Sequence, residues 1–267
     1  MAEPKFTYGL DENGTLIHVD EAMRGKGCNC VCPDPQCKAK LVAKQGAKNK
    51  WHFAHDNGAD CIGGRMTALH KLAQQIIQEE KKIRTPRYED FYYKQEPEII
   101  TFDEVLVEQH IEILNRQPDC VGVLNGESLW IEIKVTHEVD EAKQRDIAKE
   151  NISCMEVDLS DLIDVDYTKD MVRKRLFLPN EYRYSRWINN PELQKKSREE
   201  SKKRKEKENK ENESSRKIQE YIDAEHQKEA VLKHSQKMKE KPQDDFADEY
   251  STPTYDEWIK FCQSFDK

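Results

Sequence analysis

The chain has 267 residues, 36% of them charged and 36% hydrophobic, with a formal net charge of −8. So polar a composition leaves part of the chain unpacked, and the charge excess after Pro191 confines the globular part to roughly 190 residues. The negative balance excludes a global basic field, so any nucleic-acid contact has to use local patches. No apolar run approaches the ~20 residues of a membrane span. The start, MAEPKFTYGL, lacks the basic and apolar regions of a signal peptide. Eight cysteines in such a chain point to a reducing, cytoplasmic compartment, where clustered cysteines hold metal more often than they form disulfides.

In chain order, residues 5–20 predict a small hairpin, with Phe6 and Tyr8 on one side, Leu16 and Val19 on the other, and Asn13-Gly14 as the turn. The stretch Cys28 to Cys61 then holds five cysteines and two histidines. Cys32 and Cys37 flank a Pro-rich turn able to aim two thiolates at one point, and His52, His55 and Cys61 follow. Structural zinc takes four Cys or His ligands, and a lobe with so little apolar mass needs such a staple. The preferred set is Cys32, Cys37, His55 and Cys61, with Cys30 and His52 in reserve. Free thiols in a basic loop are the competing reading. Five lysines stud the same segment, Lys38, Lys40, Lys44, Lys48 and Lys50. They suit phosphate contacts and equally a solvated face.

Leu69, Leu72, Ala73, Ile76, Ile77 and Ile83 follow a helical spacing, which predicts an amphipathic helix over 66–83 ended by Thr85-Pro86. A strand is predicted over Val105 to Ile113, two more in the hairpin of 116–137, a short polar helix over Asp140 to Lys149, and a strand over Cys154 to Leu159. Helix, three strands, helix, strand is an α/β order with a mixed sheet. Arg173, Lys174 and Arg175 lie near Tyr182, Tyr184 and Trp187. From Pro191 to Lys241 opposite charges interleave, either as a solvated helix or as a tether, and the helix-forming residue types favour the helix. Trp258, Phe261 and Phe265 share one helical face, which suits a docking peptide for a protein partner in residues 250–267 or a helix folded back on the core.

The central hairpin carries the chemistry. With Asn125-Gly126 as a two-residue turn, Leu124 pairs with Glu127 and Asp119 falls opposite Glu132. Both carboxylates then project from one face with Cβ atoms about 5 Å apart, and Lys134 shares that face. Cys120, Leu124, Leu129, Ile131, Ile133 and Val135 form the other face, which has to be buried. Like charges directly opposite are destabilising unless a cation compensates them. Mg²⁺ or Mn²⁺ suits two carboxylates and also binds substrate phosphates. A surface charge pair with a salt-bridged Lys134 is the bland alternative.

The chain resembles the competence protein CoiA-like family, whose members join a zinc-binding N-terminal lobe to a PD-(D/E)XK nuclease domain. The resemblance is carried by "CVCPDPQC", "LVAKQG", "WHFAHDNGADC", "TALHKLAQ", "RQPD", "WIEIKVTH" followed by "DEAK", "MEVDLS" and "RWINN", and spans roughly residues 5–190. It implies a zinc lobe over 1–64, a restriction-endonuclease-like mixed sheet flanked by helices over 65–190, and a charged, largely helical tail with a terminal aromatic helix over 191–267. It further implies a metal-dependent nuclease acting on DNA, in competence and recombination or in defence, with Asp119, Glu132 and Lys134 catalytic and Mg²⁺ or Mn²⁺ on Asp119 and Glu132. Met66 stands where the family often has a Glu, so His70, Glu108 or water would complete the metal shell. The alternative is a non-catalytic DNA-binding adaptor that recruits a partner through its tail.

Overall fold

The computed structural model describes residues 5–58, 61–178 and 184–239. Strands β1 (Tyr8–Leu10) and β2 (Leu16–His18) form the first hairpin. The Asp11 carboxylate accepts from the Asn13 and Thr15 N–H groups, and Gly14 supplies the positive φ (77°) that the turn needs. A second hairpin, β3 (Leu41–Lys44) with β4 (His52–His55), completes the N-terminal lobe.

Helix α1 runs from Ile62 to Glu80, not from 66 to 83. It ends where Lys81 turns left-handed (φ 49°) and donates its N–H to the Ile77 carbonyl. Ile83, one step further along the apolar stripe, is fully buried from a strand instead: β5 (Lys82–Arg84), which pairs with β8 (Ile99–Thr101). Between them β6 (Tyr88–Glu89) and β7 (Lys94–Gln95) make a short hairpin. The strand expected over 105–113 is β9 (Glu104–Val107) only. A left-handed Glu108 (φ 50°) breaks it, and Ile111 bridges back to Arg116.

Next come β10 (Cys120–Leu124), β11 (Glu127–Lys134), α2 (Glu141–Lys149), β12 (Ser153–Asp158), α3 (Lys169–Phe177), β13 (Ser185–Asn189) and α4 (Pro191–Lys239). Asp140 caps α2 by accepting from the Lys143 N–H, and Thr168 caps α3 through Met171. The main sheet has the order β13-β12-β11-β10-β9. Only β11 and β12 run parallel, so this is a mixed α/β fold with a mixed sheet. Asn125 and Gly126 both take positive φ (52° and 82°), and Leu124 pairs with Glu127, the register the Asn-Gly turn dictates.

Both faces of the sheet are covered. Cys120, Leu129, Ile131, Ile133 and Val135 meet the buried stripe of α1 and α3 in the main core. Trp130, Val121 and Cys154 pack on the other face against Val139 and Ile147 of the α2 region. Met66 lies on the main core, half-buried. The lobe and the sheet domain interlock: the Tyr8 and Tyr167 rings stack at 5.6 Å, and the Arg65 guanidinium donates to the Lys5, Ile163 and Val165 carbonyls.

The described residues divide into two units, one up to residue 204 and a second from 205. The first turns of α4 belong to the first unit, where Leu193 and Ser197 are buried. Within the second unit the side chains described are exposed, and pairs such as Glu213–Lys217 and Arg216–Glu220 lie one helical turn apart. Among the described residues no helix is long and apolar enough to cross a membrane. Tyr182 and the stripe of Trp258, Phe261 and Phe265 lie outside the described residues.

Candidate functional site

The acidic cluster is built by three elements. Asp119 directly precedes β10, Glu132 lies on β11, and His70 projects from α1. One Asp119 oxygen accepts from the Ile133 backbone N–H at 2.7 Å and lies 3.0 Å from His70 Nε2. Glu132 is 5% exposed and shares the Trp130 face of the sheet. Its Oε2 receives the Lys143 ammonium at 2.7 Å, while its Oε1 is buried with no hydrogen-bond partner. Burial pushes the Glu132 carboxyl well above the ordinary range, the Asp119 charge adds to this, and Lys143 opposes it. Glu108 accepts from Gln74 Nε2 at 3.3 Å, and the same amide reaches the Asp119 carbonyl.

Lys134 stands apart from these acids. Its ammonium pairs with Asp158 at 2.9 Å, the residue opposite it on the parallel neighbour β12. The cation on Glu132 is instead Lys143, one turn into α2, which also reaches the Gln117 carbonyl. The E-x-K spacing does not reveal this residue. Its one signal is the short "DEAK" run, with Asp140 capping the helix that carries it.

The second cluster lies in the N-terminal lobe. The Asp34 carbonyl accepts from both the Cys37 and Lys38 N–H groups, closing a tight turn that brings Cys37 back toward Cys32. Strand β4 delivers His55, and Cys61 caps α1. The ligand atoms of Cys32, Cys37, His55 and Cys61 all lie within 4.8 Å of one another. Cys32 and Cys61 sulfurs are 3.7 Å apart, close to the edge of a tetrahedron with Zn–S bonds of about 2.3 Å. His55 Nε2 is buried without a hydrogen-bond partner, which a metal would supply. A Cβ on Gly64 would come within 2.7 Å of the Cys32 sulfur, so the helix start leaves room only for the thiolate. Burial raises the Cys32 and Cys61 thiols, a preference for the neutral form that coordination to a cation reverses. This cluster could hold a zinc ion. The reserve residues lie elsewhere: Cys30 points its sulfur at the Cys28 carbonyl, and His52 Nδ1 lies 2.9 Å from the Lys50 carbonyl.

Residues 18–62 match the family described as competence protein CoiA, N-terminal domain. Over this lobe the chain is similar to the CoiA N-terminal domain. The matched segment contains all four candidate zinc ligands of the CoiA-like lobe, and the acidic cluster lies outside it. No curated protein and no solved structure matches the chain.

Proposed function

We propose that this CoiA-like chain is a metal-dependent nuclease that hydrolyses phosphodiester bonds in DNA, acting in competence-related DNA processing or in defence against foreign DNA. The observation that carries the reading is Glu132: a carboxylate 5% exposed, with one oxygen unpartnered, set across the hairpin from Asp119. A buried carboxylate with one oxygen left unpartnered is costly, and a site retains one where a cation completes it. Asp119 and Glu132 would hold Mg²⁺ or Mn²⁺, which when bound polarises a phosphate oxygen and activates water.

The chain's own groups then have assignable work. The Ile133 N–H and His70 fix the rotamer of Asp119. Lys143 keeps Glu132 from standing alone, and in the proposed reaction its ammonium would stabilise charge developing on a phosphate. Lys134 is engaged by Asp158, so Lys143→Ala is expected to lower turnover more than Lys134→Ala, the reverse of what the E-x-K spacing implies. Glu108 supports the site through Gln74.

The test is cleavage of labelled single- and double-stranded DNA by zinc-loaded, desalted protein with and without added Mg²⁺ or Mn²⁺. Glu132→Gln should lose at least about a hundredfold in rate, as expected when a charge acting on the transition state is removed, with zinc content and melting intact. Equal cleavage by Glu132→Gln would sink the reading. The ion pair of Lys134 with Asp158 favours a second reading, a DNA-binding adaptor that recruits a protein through residues 250–267. DNA binding without metal-dependent cleavage would support it.

A further inference from the structure

A groove of about 490 Å³ opens on the N-terminal lobe, and none of the four candidate zinc ligands lines it. Its floor is the β3 edge, where Gly25 and Ala43 exchange two backbone hydrogen bonds of 3.0 Å. Arg24, Lys44, Asn49 and His52 stand around it, and no acid lines it. Lys44 and His52 are paired across β3 and β4, so the register puts a cation and an imidazole side by side on one face. Among the described residues neither Arg24 nor Lys44 has an ion-pair partner. No side chain covers Gly25 or Gly46, which leaves the backbone open to close approach. From Pro35 to His55 the sequence holds five lysines and no Asp or Glu, in a chain whose net charge is −8. On the loop beyond β3, Trp51 is 41% exposed, its indole tethered by Nε1–H to the Gly46 carbonyl at 3.2 Å.

We infer that this groove binds the phosphate backbone of a single-stranded nucleic acid, with Arg24 and Lys44 on phosphates and Trp51 as a stacking platform for an unpaired base. Unpaired cations in an acid-free groove beside a fixed, exposed indole are the components that single-strand binding combines. The inference rests on nucleic acid being the substrate, as proposed above, and assigns the zinc lobe the task of holding it. Zinc then acts on binding only by keeping the lobe folded.

The experiment is fluorescence anisotropy with a labelled single-stranded oligonucleotide in the Glu132→Gln background, zinc-loaded, so that cleavage cannot intrude. Arg24→Gln/Lys44→Gln should weaken binding about tenfold or more and lower the slope of log K against log salt by about 1.4, the loss of two phosphate contacts to a single strand. Trp51→Ala should weaken binding about tenfold with the slope unchanged. Lys94→Gln/Lys149→Gln, which removes the same charge elsewhere, should do neither. Unchanged affinity and slope in Arg24→Gln/Lys44→Gln with full zinc content would overturn the inference, as would an equal loss in the control. A parent chain that binds through Arg24 and Lys44 yet never cleaves refutes the nuclease reading and leaves this one standing. A parent that cleaves while Arg24→Gln/Lys44→Gln binds normally does the opposite.

Discussion

The N-terminal lobe closes around Val19, Cys30, Cys32, Leu41, Ala43 and Phe53, a buried set in which two members are cysteines. The sheet domain buries apolar side chains on both faces of its strands, from Ile76 and Ile131 on one side to Trp130 and Ile147 on the other. The same chain thus stabilises neighbouring regions by different physics. Apolar area suffices where helices cover both faces of a sheet. Where only short hairpins are available, coordination has to supply what burial cannot. The difference also separates the two candidate sites: a zinc ion held by the lobe's cluster would be part of its fold, whereas a cation at the sheet would bind a scaffold that stands without it.

Removing the lobe's metal is the strongest way to test that division. Structural zinc contributes on the order of 10 kcal/mol to folding, comparable to the whole stability of a typical domain. Chelation, or Cys37→Ser, should therefore abolish amide-exchange protection in β1 to β4 and fray the Cys61 end of α1. Protection of Leu72 to Ile77 and of β10 to β12 should remain. Equal loss in both regions would show a single cooperative unit and break the comparison.

A smaller effect should come from the sheet side. A Cβ on Gly122 would lie 2.5 Å from two atoms of the Phe102 ring, itself 4% exposed. Gly122→Ala should destabilise by about 2 kcal/mol through overpacking, lowering Tm by several degrees without releasing zinc. An unchanged Tm would mean that the core yields more than close packing allows.

The smallest effect is electrostatic. Arg173, and after it Lys82, hold the Glu80 carboxyl down at about 2 from an ordinary value of 4.5, against the opposing effect of burial. Because the folded value is depressed, the stabilisation is present above the ordinary value and is lost as pH falls from there toward 2. Glu80→Gln should cost at most about 1 kcal/mol at neutral pH, the range for a solvent-accessible pair. The gap between the two proteins should narrow in thermal melts run from pH 5 down to pH 3. A constant gap would remove the ion pair as its cause.

Local rules explain which features could be read from the chain alone. The Asn125-Gly126 turn permits one register, and the observed pairs follow it from Leu124 to Cys120. The spacing of Cys32, Cys37, His55 and Cys61 picks out the residues whose ligand atoms converge. The end of α1 was not legible, since Lys81 is an ordinary helix former and only its left-handed backbone stops the helix. Nor was the partner of Lys134: Asp158 arrives from a parallel neighbour, whose register no turn specifies. Lys143 was hidden for the same reason, because its meeting with Glu132 depends on how α2 lies across the sheet.

The parallel pairing of β11 with β12 has a consequence for the order in which a nascent chain acquires this cluster. The return path between those strands is α2 itself, so Lys143 reaches Glu132 only once residues beyond 153 have emerged and docked. A growing chain that stops at Val135 already holds Asp119 and Glu132 in one hairpin, with His70 and the Ile133 N–H available to Asp119 but no cation for Glu132. Closing the crossover is what brings Glu132 its partner.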